Sequence, residues 1–339
     1  MTAPDGRPRV TVIMPVRNES AFIGRSLGAV LAQDYPAELM EVLVADGMSD
    51  DDTREAVAAL AHAHPAHTVE IVDNPGRIVP TGFNAALERA KGDVIVRVDG
   101  HCVIAPDYVT QCIAALAASG ADNVGGRMEA VGSGRVAQAV ALATSSPFGV
   151  GDSLFHYATG EHWVDSVFLG AWPREVFDRI GPFDPELVRN QDDEFNYRLR
   201  SHGGRILLTD AIRSEYYNRG SLTKLFSQYR QYGWWKVRVL QKHPRQMSAR
   251  HFAPPAFVAG LVGGALLAPF SRTARRLWLA GIGAWLAGAL GVSVRIAARD
   301  GWRHLPVLPV VFAAVHVGYG AGFLGGLVKF ARRWRATDR

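Results

Sequence analysis

Apolar and polar residues alternate in a β-α-β rhythm over the first hundred residues. Short β-branched runs predict strands, and apolar residues three or four positions apart predict helices between them. The predicted strands are 10–14, 41–45, 68–72 and 93–98, and the predicted helices are 20–32, 52–64 and 81–90. This order predicts an α/β fold with a doubly wound, mostly parallel sheet, whose ligands bind beyond the carboxyl ends of the strands.

Beyond about residue 250 the pattern changes to long apolar runs. Residues 252–270, 277–294 and 305–328 contain no Asp, Glu, Lys or Arg, and a membrane helix needs about 20 apolar residues. We expect two or three membrane helices, with buried helices of a soluble domain as the alternative. Three full spans after a cytoplasmic N-terminus would put the basic tail outside, against the positive-inside tendency. The Pro-led run 252–270 is therefore expected to be tilted, re-entrant or interfacial.

The segment before these runs mixes aromatic and basic residues at helical spacing, which suits a bilayer surface. An ordinary amphipathic helix packed on the sheet is the alternative. The predicted organisation is a cytoplasmic domain at 1–220, an amphipathic membrane-interface segment at 221–251, and a membrane region with a basic tail at 252–339.

Charge is spread unevenly along the chain. Residues 271–339 hold 11 of the 37 Lys and Arg residues but 2 of the 32 acids, so the first 270 residues are mildly acidic. The basic excess lies between and after the apolar runs, where lipid headgroups would meet it. A nucleic-acid partner is therefore not expected, and membrane lipid is.

The cysteines and the N-terminal residues bear on where in the cell the protein is located. Cys102 and Cys112 are the two cysteines, and their spacing fits neither a metal nor a redox motif. The chain starts with polar residues and a short strand, which does not resemble a signal peptide. We expect a protein at the cell membrane whose N-terminal domain is cytoplasmic.

Polar residues follow the predicted strands. The first strand leads into Pro15-Val16-Arg17-Asn18-Glu19, which lacks the glycines of a dinucleotide-binding turn, so an NAD-dependent oxidoreductase is disfavoured. Asp46 ends the second strand and Asp99 follows the fourth. Asp99 and His101 offer one oxygen and one nitrogen ligand two residues apart, which suits Mg²⁺ or Mn²⁺ bridging to a diphosphate. Taken alone, a turn-capping role for Asp99 is the alternative.

An ordered set of motifs resembles family 2 glycosyltransferases, and within them succinoglycan-type exopolysaccharide glucosyltransferases. The resemblance covers about residues 9–256 and implies the nucleotide-sugar-binding fold called glycosyltransferase A-type, followed here by C-terminal membrane helices. The motifs lie at 12–19, 44–47, 82–86, 92–95, 97–101, 181–184, 190–200 and 228–236.

The resemblance also implies site residues and partners. Asp192 matches the catalytic base, Asp99 reaches the metal and diphosphate with His101, and Asp46 meets the base or ribose. The remaining residues implied for the nucleotide-sugar pocket are Pro15, Arg17, Glu19, Arg77 and Asn84. The implied partners are a nucleotide-sugar donor such as UDP-glucose, a lipid-linked saccharide acceptor and other polysaccharide-assembly enzymes.

Further residues are candidates for the acceptor or the diphosphate. Asp165 and Trp172 follow His156, His162 and Trp163 in a stretch expected to approach the acceptor, although a single His or Trp is more often a packing residue. The other candidates of this class are Asp193, Arg219, Arg230 and Trp234.

Two departures from the family pattern limit the interpretation. His101 stands where the second acid of a D-x-D motif is usual, so the identity of the metal ion stays open. Residues 228–236 do not reproduce the Q-x-x-R-W signature of processive synthases, so a single transfer is expected. A non-catalytic membrane scaffold with a nucleotide pocket is the alternative from another class. A carrier or flippase is disfavoured because it needs more spans and more polar residues at membrane depth.

Overall fold

The computed structural model describes residues 6–217 and 220–336. Contacts divide the chain into two compact units, one formed by Met1–Glu129 and Leu154–Tyr217 and the other by Ala130–Ser153 and Asn218–Arg339. The predicted continuous domain at 1–220 did not anticipate that residues 130–153 pack with the second unit.

Nine strands of the described residues form a single sheet in the order β3-β2-β1-β4-β8-β6-β9-β5, and β7 pairs with β9. The strands are β1 (Val10–Val16), β2 (Met40–Asp46), β3 (Thr68–Asp73), β4 (Val94–Arg97), β5 (Cys102–Ile104), β6 (Asn123–Val131), β7 (Glu161–Trp163), β8 (Phe168–Pro173) and β9 (Ile206–Tyr217).

The sheet has a parallel part and an antiparallel part. Strands β3, β2, β1 and β4 are parallel, as the β-α-β rhythm predicted. Strand β8 then pairs antiparallel with β4 and with β6, and β9 pairs antiparallel with β5 and β7. The α/β fold class is thus confirmed. The sheet as a whole is mixed, whereas the sequence predicted a mostly parallel one, because the strands after β4 pair antiparallel.

Helices cover both faces of the parallel strands. On β1, Val12 and Met14 enter one apolar cluster, whereas Ile13 between them enters the other. Strand side chains alternate between faces, so burial of all three requires cover on both sides. The helices of this unit are α1 (Ile23–Leu31), α2 (Thr53–Ala63), α3 (Val79–Arg89), α4 (Tyr108–Ser119), α7 (Glu175–Ile180) and α8 (Gln191–Ser201).

The second unit is helical. Its helices are α5 (Arg135–Thr144), α6 (Pro147–Val150), α9 (Leu222–Lys242), α10 (Ala249–Leu267), α11 (Arg272–Asp300) and α12 (Leu308–Lys329). Helix α5 places Ala139, Val140 and Ala143 in one apolar cluster with Val311 and Phe312 of α12. This apolar face explains why residues 130–153 belong here.

Two helices of the described residues, α11 and α12, are long and apolar enough to cross a membrane. Helix α10 lies in the first predicted run but bears Arg250 and His251 in its first turn. The prediction of apolar C-terminal helices is therefore confirmed.

Candidate functional site

The parallel strands bring the predicted donor-binding residues to one edge of the sheet. Val16 lies opposite Asp46, and Asp46 lies opposite Asp73. Strand β4 ends at Arg97, which pairs with Ile13, so Asp99 follows two residues later at the same edge. Ligands of open α/β sheets bind at this edge.

The loops at this edge hold non-glycine residues in the left-handed region. Asn18 has φ 53°, Met48 has φ 55° and Arg77 has φ 58°, and they follow β1, β2 and β3 respectively. Such conformations cost free energy and concentrate at functional sites. Hydrogen bonds hold the first two loops together, because Asn18 donates to Asp50 at 2.8 Å and Asp50 donates its N–H to Asn18 at 3.1 Å.

Asp46 is a buried anchor of the loop after β2. It is 1% exposed, accepts hydrogen bonds from the Ser49 hydroxyl at 2.5 Å and the Ser49 N–H at 3.2 Å, and pairs with Arg54 at 2.9 Å. Arg54 also pairs with Asp73 at 2.8 Å. Asp46 therefore fixes the loop, and its contact with a base or ribose stays a prediction.

Arg97 and Asp99 form a two-pronged ion pair at the end of β4. Arg97 Nε and Nη2 donate to the two oxygens of Asp99 at 2.7 and 3.0 Å. Burial raises the pKa of the Asp99 carboxyl, but the charge and hydrogen bonds of Arg97, with the nearby His101 and Arg189, hold that pKa below its usual value. Asp99 is therefore a carboxylate at neutral pH.

The candidate base lies in the first turn of α8. Asn190, with φ 62°, precedes the helix, and Asp192 Oδ1 accepts the N–H of Asp193 at 2.9 Å. Burial raises the pKa of Asp192 above its usual value; Arg97 opposes that shift, and the charges of Asp193 and Asp99 reinforce it. A partly buried carboxyl with a raised pKa is suited to accept a proton.

Arg97 is the residue of the candidate site that sequence reasoning missed. It is 4% exposed, and the charges of both Asp99 and Asp192 raise its pKa against the effect of burial. Its Nη1 is buried and lacks a hydrogen-bond partner within the described part of the chain. The R-x-D spacing at a strand end was the available signal, since alternate residues of a strand point the same way.

Further hydrogen bonds hold α8 in place. Arg198 Nε donates to Glu194 at 2.9 Å, and Arg198 Nη2 donates to the Pro182 carbonyl at 2.8 Å. Asn196 donates to Ser166 at 3.0 Å and accepts from Asn123 at 2.9 Å. These bonds join the helix that carries Asp192 to the preceding loop and to strand β6.

The structure places the other predicted donor-site residues in different environments. Pro15 is buried in β1, whereas Arg17 and Arg77 are exposed at the same sheet edge. Glu19 Oε1 lies 3.4 Å from His101 Nδ1. Asn84 exchanges two hydrogen bonds with the Phe183 backbone, at 2.7 and 3.0 Å. The Asn84 amide thus positions the 181–184 turn.

Trp172, a candidate for acceptor contact, is a packing residue in this structure. This side chain is 1% exposed, and its ring centre lies 6.2 Å from Phe83, 6.3 Å from Phe183 and 5.9 Å from Phe195. It belongs to the core because β8 is a central strand covered on this face by α3, α7 and α8.

The remaining acceptor candidates are dispersed. Asp165 is partly buried in the first unit, and Asp193 lies next to the candidate base. Arg230 and Trp234 belong to the second unit, where the Lys329 ammonium lies 4.2 Å from the Trp234 ring centre. Arg219 lies outside the described residues.

The side chains of Asp99 and His101 fit a divalent ion that is also bound by a diphosphate. The described residues contain no group of three His, Cys, Asp or Glu side chains able to hold a metal ion. Magnesium is usually held by one or two carboxylates together with substrate phosphates. Each Asp99 oxygen retains a second lone pair beside its bond to Arg97, so Asp99 and His101 suit that arrangement.

Comparison with known proteins identifies the family. The sequence model of Glycosyl transferase family 2 matches residues 11–181. The succinoglycan biosynthesis protein ExoA of Rhizobium meliloti is 32% identical over 326 residues, which cover 95% of this chain and 96% of ExoA. The chain belongs to glycosyltransferase family 2. It is therefore a glycosyltransferase of the ExoA-like type, and the predicted family is confirmed.

More distant relatives support the same fold. A dolichyl N-acetyl-α-D-glucosaminyl phosphate glucuronosyltransferase of Methanococcus voltae is 27% identical over 239 residues, covering 69% of this chain and 74% of that protein. The mannosyltransferase PcManGT of Pyrobaculum calidifontis, solved with GDP-Man and Mn²⁺, superimposes with a TM-score of 0.57 at 22% identity, covering 94% and 89% of the chains. S. aureus TarS with UDP-GlcNAc gives 0.52 at 17% identity, covering 96% and 92%.

Proposed function

We propose that this glycosyltransferase moves a hexose from a UDP-sugar to a lipid-linked saccharide in cell-surface or exopolysaccharide synthesis. The observation that carries the proposal is the electrostatic grouping of Asp192 with the Arg97–Asp99 pair. One carboxyl has a raised pKa and suits proton removal, whereas the other has a lowered pKa and suits a cation. Opposite shifts of neighbouring carboxyls are typical of acid-base sites.

The proposed reaction is a direct displacement with inversion. Asp192 accepts the proton of an acceptor hydroxyl, and that oxygen forms a bond to the anomeric carbon. The bond from the anomeric carbon to the diphosphate oxygen breaks, and its electron pair leaves with the diphosphate. General-base help of this kind contributes about 10²–10⁴-fold.

The diphosphate leaves with negative charge, so its side of the site needs cations. Asp99 and His101 are proposed to hold Mg²⁺ or Mn²⁺, which when bound would neutralise the leaving diphosphate. Exposed Arg17 and Arg77 are proposed to contribute further positive charge at the same sheet edge. Glu19 and Asp46 would then border the nucleotide.

The names of relatives support the choice of acceptor. ExoA is named for succinoglycan biosynthesis, and the Methanococcus relative is named for transfer to a dolichyl-linked sugar. A chain with two helices apolar enough to span a membrane suits an acceptor held in a bilayer. We propose that the first unit is cytoplasmic, that residues 221–251 lie at the membrane interface and that the region from 252 onward anchors the enzyme.

A donor panel tests this function. Detergent-solubilised protein is supplied with UDP- and GDP-hexoses and a lipid-linked saccharide, in Mn²⁺, Mg²⁺ or chelator, and nucleotide release is measured. We expect one UDP-hexose to give metal-dependent release and a product of inverted anomeric configuration by NMR. Tight nucleotide binding without turnover for every donor would favour the non-catalytic scaffold, and a retained configuration would contradict the proposed displacement.

A further inference from the structure

His101 lies between two side chains that come from other parts of the first unit. Its Nδ1 atom is 3.4 Å from Oε1 of Glu19, three residues beyond the end of β1. Its ring centre is 5.1 Å from that of Tyr216 in β9, and the two rings meet edge to face at 71°. Tyr216 pairs with Cys102, the residue after His101. An acid and an aromatic ring therefore lie against one candidate metal ligand.

The position of Glu19 is fixed by its backbone. Its N–H donates to Thr53 Oγ1 at 2.8 Å, and its carbonyl accepts the N–H groups of Phe22 at 2.8 Å and Ile23 at 2.7 Å, at the start of α1. Its side chain packs closely on Gly100, because a methyl group added there would lie 3.1 Å from Glu19 Cγ. The carboxylate is thus held beside the turn that follows β4.

Tyr216 is held in turn by its own neighbours. Its ring centre lies 5.7 Å from that of Phe168, the first residue of β8, at 88°. Both side chains are half-buried against the apolar cluster that covers one face of the sheet. A packed Tyr216 ring restricts how far the His101 ring can turn, yet 34% of the His101 side chain stays exposed and open to a ligand.

The two ring nitrogens of His101 have different surroundings. Nδ1 faces the Glu19 carboxylate, whereas Nε2 has no hydrogen-bond partner among the described residues. A carboxylate beside Nδ1 favours the tautomer that carries its hydrogen there, which leaves the Nε2 lone pair available to a metal ion. Metal-binding histidines commonly donate their other ring hydrogen to a carboxylate, and this bond fixes the ring and makes the ligand nitrogen more basic.

We propose that Glu19 is a positioning residue of the metal site: its carboxylate accepts the Nδ1 hydrogen of His101 and presents Nε2 to a divalent ion. The inference rests on the proposed function, in which Asp99 and His101 hold Mg²⁺ or Mn²⁺. The separation of 3.4 Å is longer than an ordinary hydrogen bond, and polar contacts of unliganded catalytic sites commonly shorten when the ligand binds. Glu19 thus acts through His101, although the motif resemblance implied a nucleotide contact.

This role compensates for the departure from the D-x-D pattern. The second position of that pattern holds His101, which as a neutral imidazole brings no negative charge to a divalent ion. Asp99 already shares both of its oxygens with the Arg97 guanidinium. A carboxylate behind the imidazole raises the basicity of Nε2 and so strengthens its bond to the ion. Glu19 and His101 together take the place of the second acid.

Binding of Mn²⁺ to the purified full chain tests the proposal without relying on turnover. Mn²⁺ is titrated into the protein with UDP, and in a parallel series with GDP, and the free ion is measured by electron paramagnetic resonance. Pulsed measurements on the bound ion report coupling to a nitrogen ligand. The variants are Glu19→Ala, Glu19→Gln, His101→Ala and the double variant with both alanines. Glu55→Ala, a change at an exposed position of α2, is the control.

We expect Glu19→Ala to weaken Mn²⁺ binding about 10- to 100-fold, the usual effect of removing a carboxylate behind a metal-binding histidine. The nitrogen coupling should weaken in this variant and disappear in His101→Ala. Glu19→Gln, whose amide oxygen can still accept the Nδ1 hydrogen, should lie between Glu19→Ala and the native protein. In the His101→Ala background the Glu19→Ala change should cost much less, because residues in direct contact are not additive.

Three results would overturn the proposal. The first is native Mn²⁺ affinity in Glu19→Ala, and the second is an equal loss from Glu19→Ala in both backgrounds. The third is a loss of UDP affinity by Glu19→Ala in chelator, measured by calorimetry, which would assign Glu19 to the nucleotide. If thermal unfolding shows that Glu19→Ala is not folded, Glu19→Gln decides: weakened Mn²⁺ binding with native metal-free UDP affinity supports the proposal, and native Mn²⁺ binding overturns it.

The outcome is separable from that of the donor panel. Metal-dependent transfer by a native protein whose bound Mn²⁺ shows no nitrogen coupling would leave the proposed function intact and overturn the roles of His101 and Glu19. A nitrogen-coupled Mn²⁺ that responds to Glu19→Ala, in a protein that transfers no sugar, would support the positioning role and contradict the proposed function.

Discussion

Arg97 holds both oxygens of Asp99, at 2.7 and 3.0 Å, from two residues earlier in the chain. The guanidinium also stabilises the ionised form of Asp192, the candidate base. One buried cation is therefore linked to the carboxyl proposed to hold the metal and to the carboxyl proposed to accept the proton. This arrangement makes Arg97 the residue whose replacement should disturb both functions.

Arg97→Lys should lower kcat by about 10- to 100-fold, because a lysine keeps the charge but cannot replace a two-pronged hydrogen bond to a carboxylate. Metal affinity, measured as the Mn²⁺ concentration for half-maximal activity, should weaken in the same variant. Arg89→Lys, a change in an exposed pair with Glu70, is the matched control. Equal activity of the two variants would refute the role of Arg97.

The dependence of kcat/KM on pH should report Asp192. Because a general base must be deprotonated, activity should rise with pH and level off above the raised pKa of this carboxyl, which lies above the ordinary 3.8. Arg97→Gln removes a charge that lowers this pKa, so the acidic limb should move to higher pH. If the acidic limb of Arg97→Gln stayed at the same pH as in the native protein, the observed titration would belong to a group other than Asp192.

Asp192→Asn should stabilise the fold at neutral pH. The folded-state pKa of Asp192 is raised, so its contribution to stability is present below the unfolded pKa and is lost as pH rises through the folded pKa. Asp99 has the opposite sign, with a lowered folded pKa, so its stabilisation is lost as pH falls. Thermal unfolding should give a higher Tm for Asp192→Asn and a lower Tm for Asp99→Asn at pH 7.

Trp172 should be a stability residue. Trp172→Ala should lower the free energy of unfolding by about 3–5 kcal/mol, because it empties a space between packed aromatic rings. Trp172→Phe should cost less and leave the KM for the acceptor unchanged. A raised acceptor KM in a stable Trp172→Phe protein would show that Trp172 contacts the acceptor, contrary to its burial.

Substitution of two different glycines in α12 should have very different effects on the yield of folded protein. A side chain at Gly322 would overlap the Arg230 backbone, whereas Gly325 has open space around it. Gly322→Val should therefore reduce the yield of monodisperse protein in detergent several-fold, and Gly325→Val should not. Similar yields of the two variants would show that α9 does not pack on α12 as described.

Periodicity predicted the parallel half of the fold because its strands are short runs rich in apolar residues, and β1, β2 and β3 are each followed by a helix. The antiparallel strands β8 and β9 were not identified, since their pairing joins segments far apart in the chain, such as Val96 with Ala171. Asp46 and Asp99 were located from the sequence because each lies at or just after the end of such a run. Arg97 was missed as a site residue because its importance lies in a partner, Asp192, that is 95 residues away and adjacent through folding.

The most direct test of the proposed reaction compares Asp192→Asn with native protein, using the active donor and a lipid-linked acceptor. Nucleotide affinity is measured by calorimetry on the same samples, and Asp178→Asn, the same change at an exposed position, is the control. We predict that Asp192→Asn loses about 10²–10⁴-fold in transfer rate and keeps native nucleotide affinity. Near-native transfer by Asp192→Asn would contradict the account and move the search for the base to Asp193.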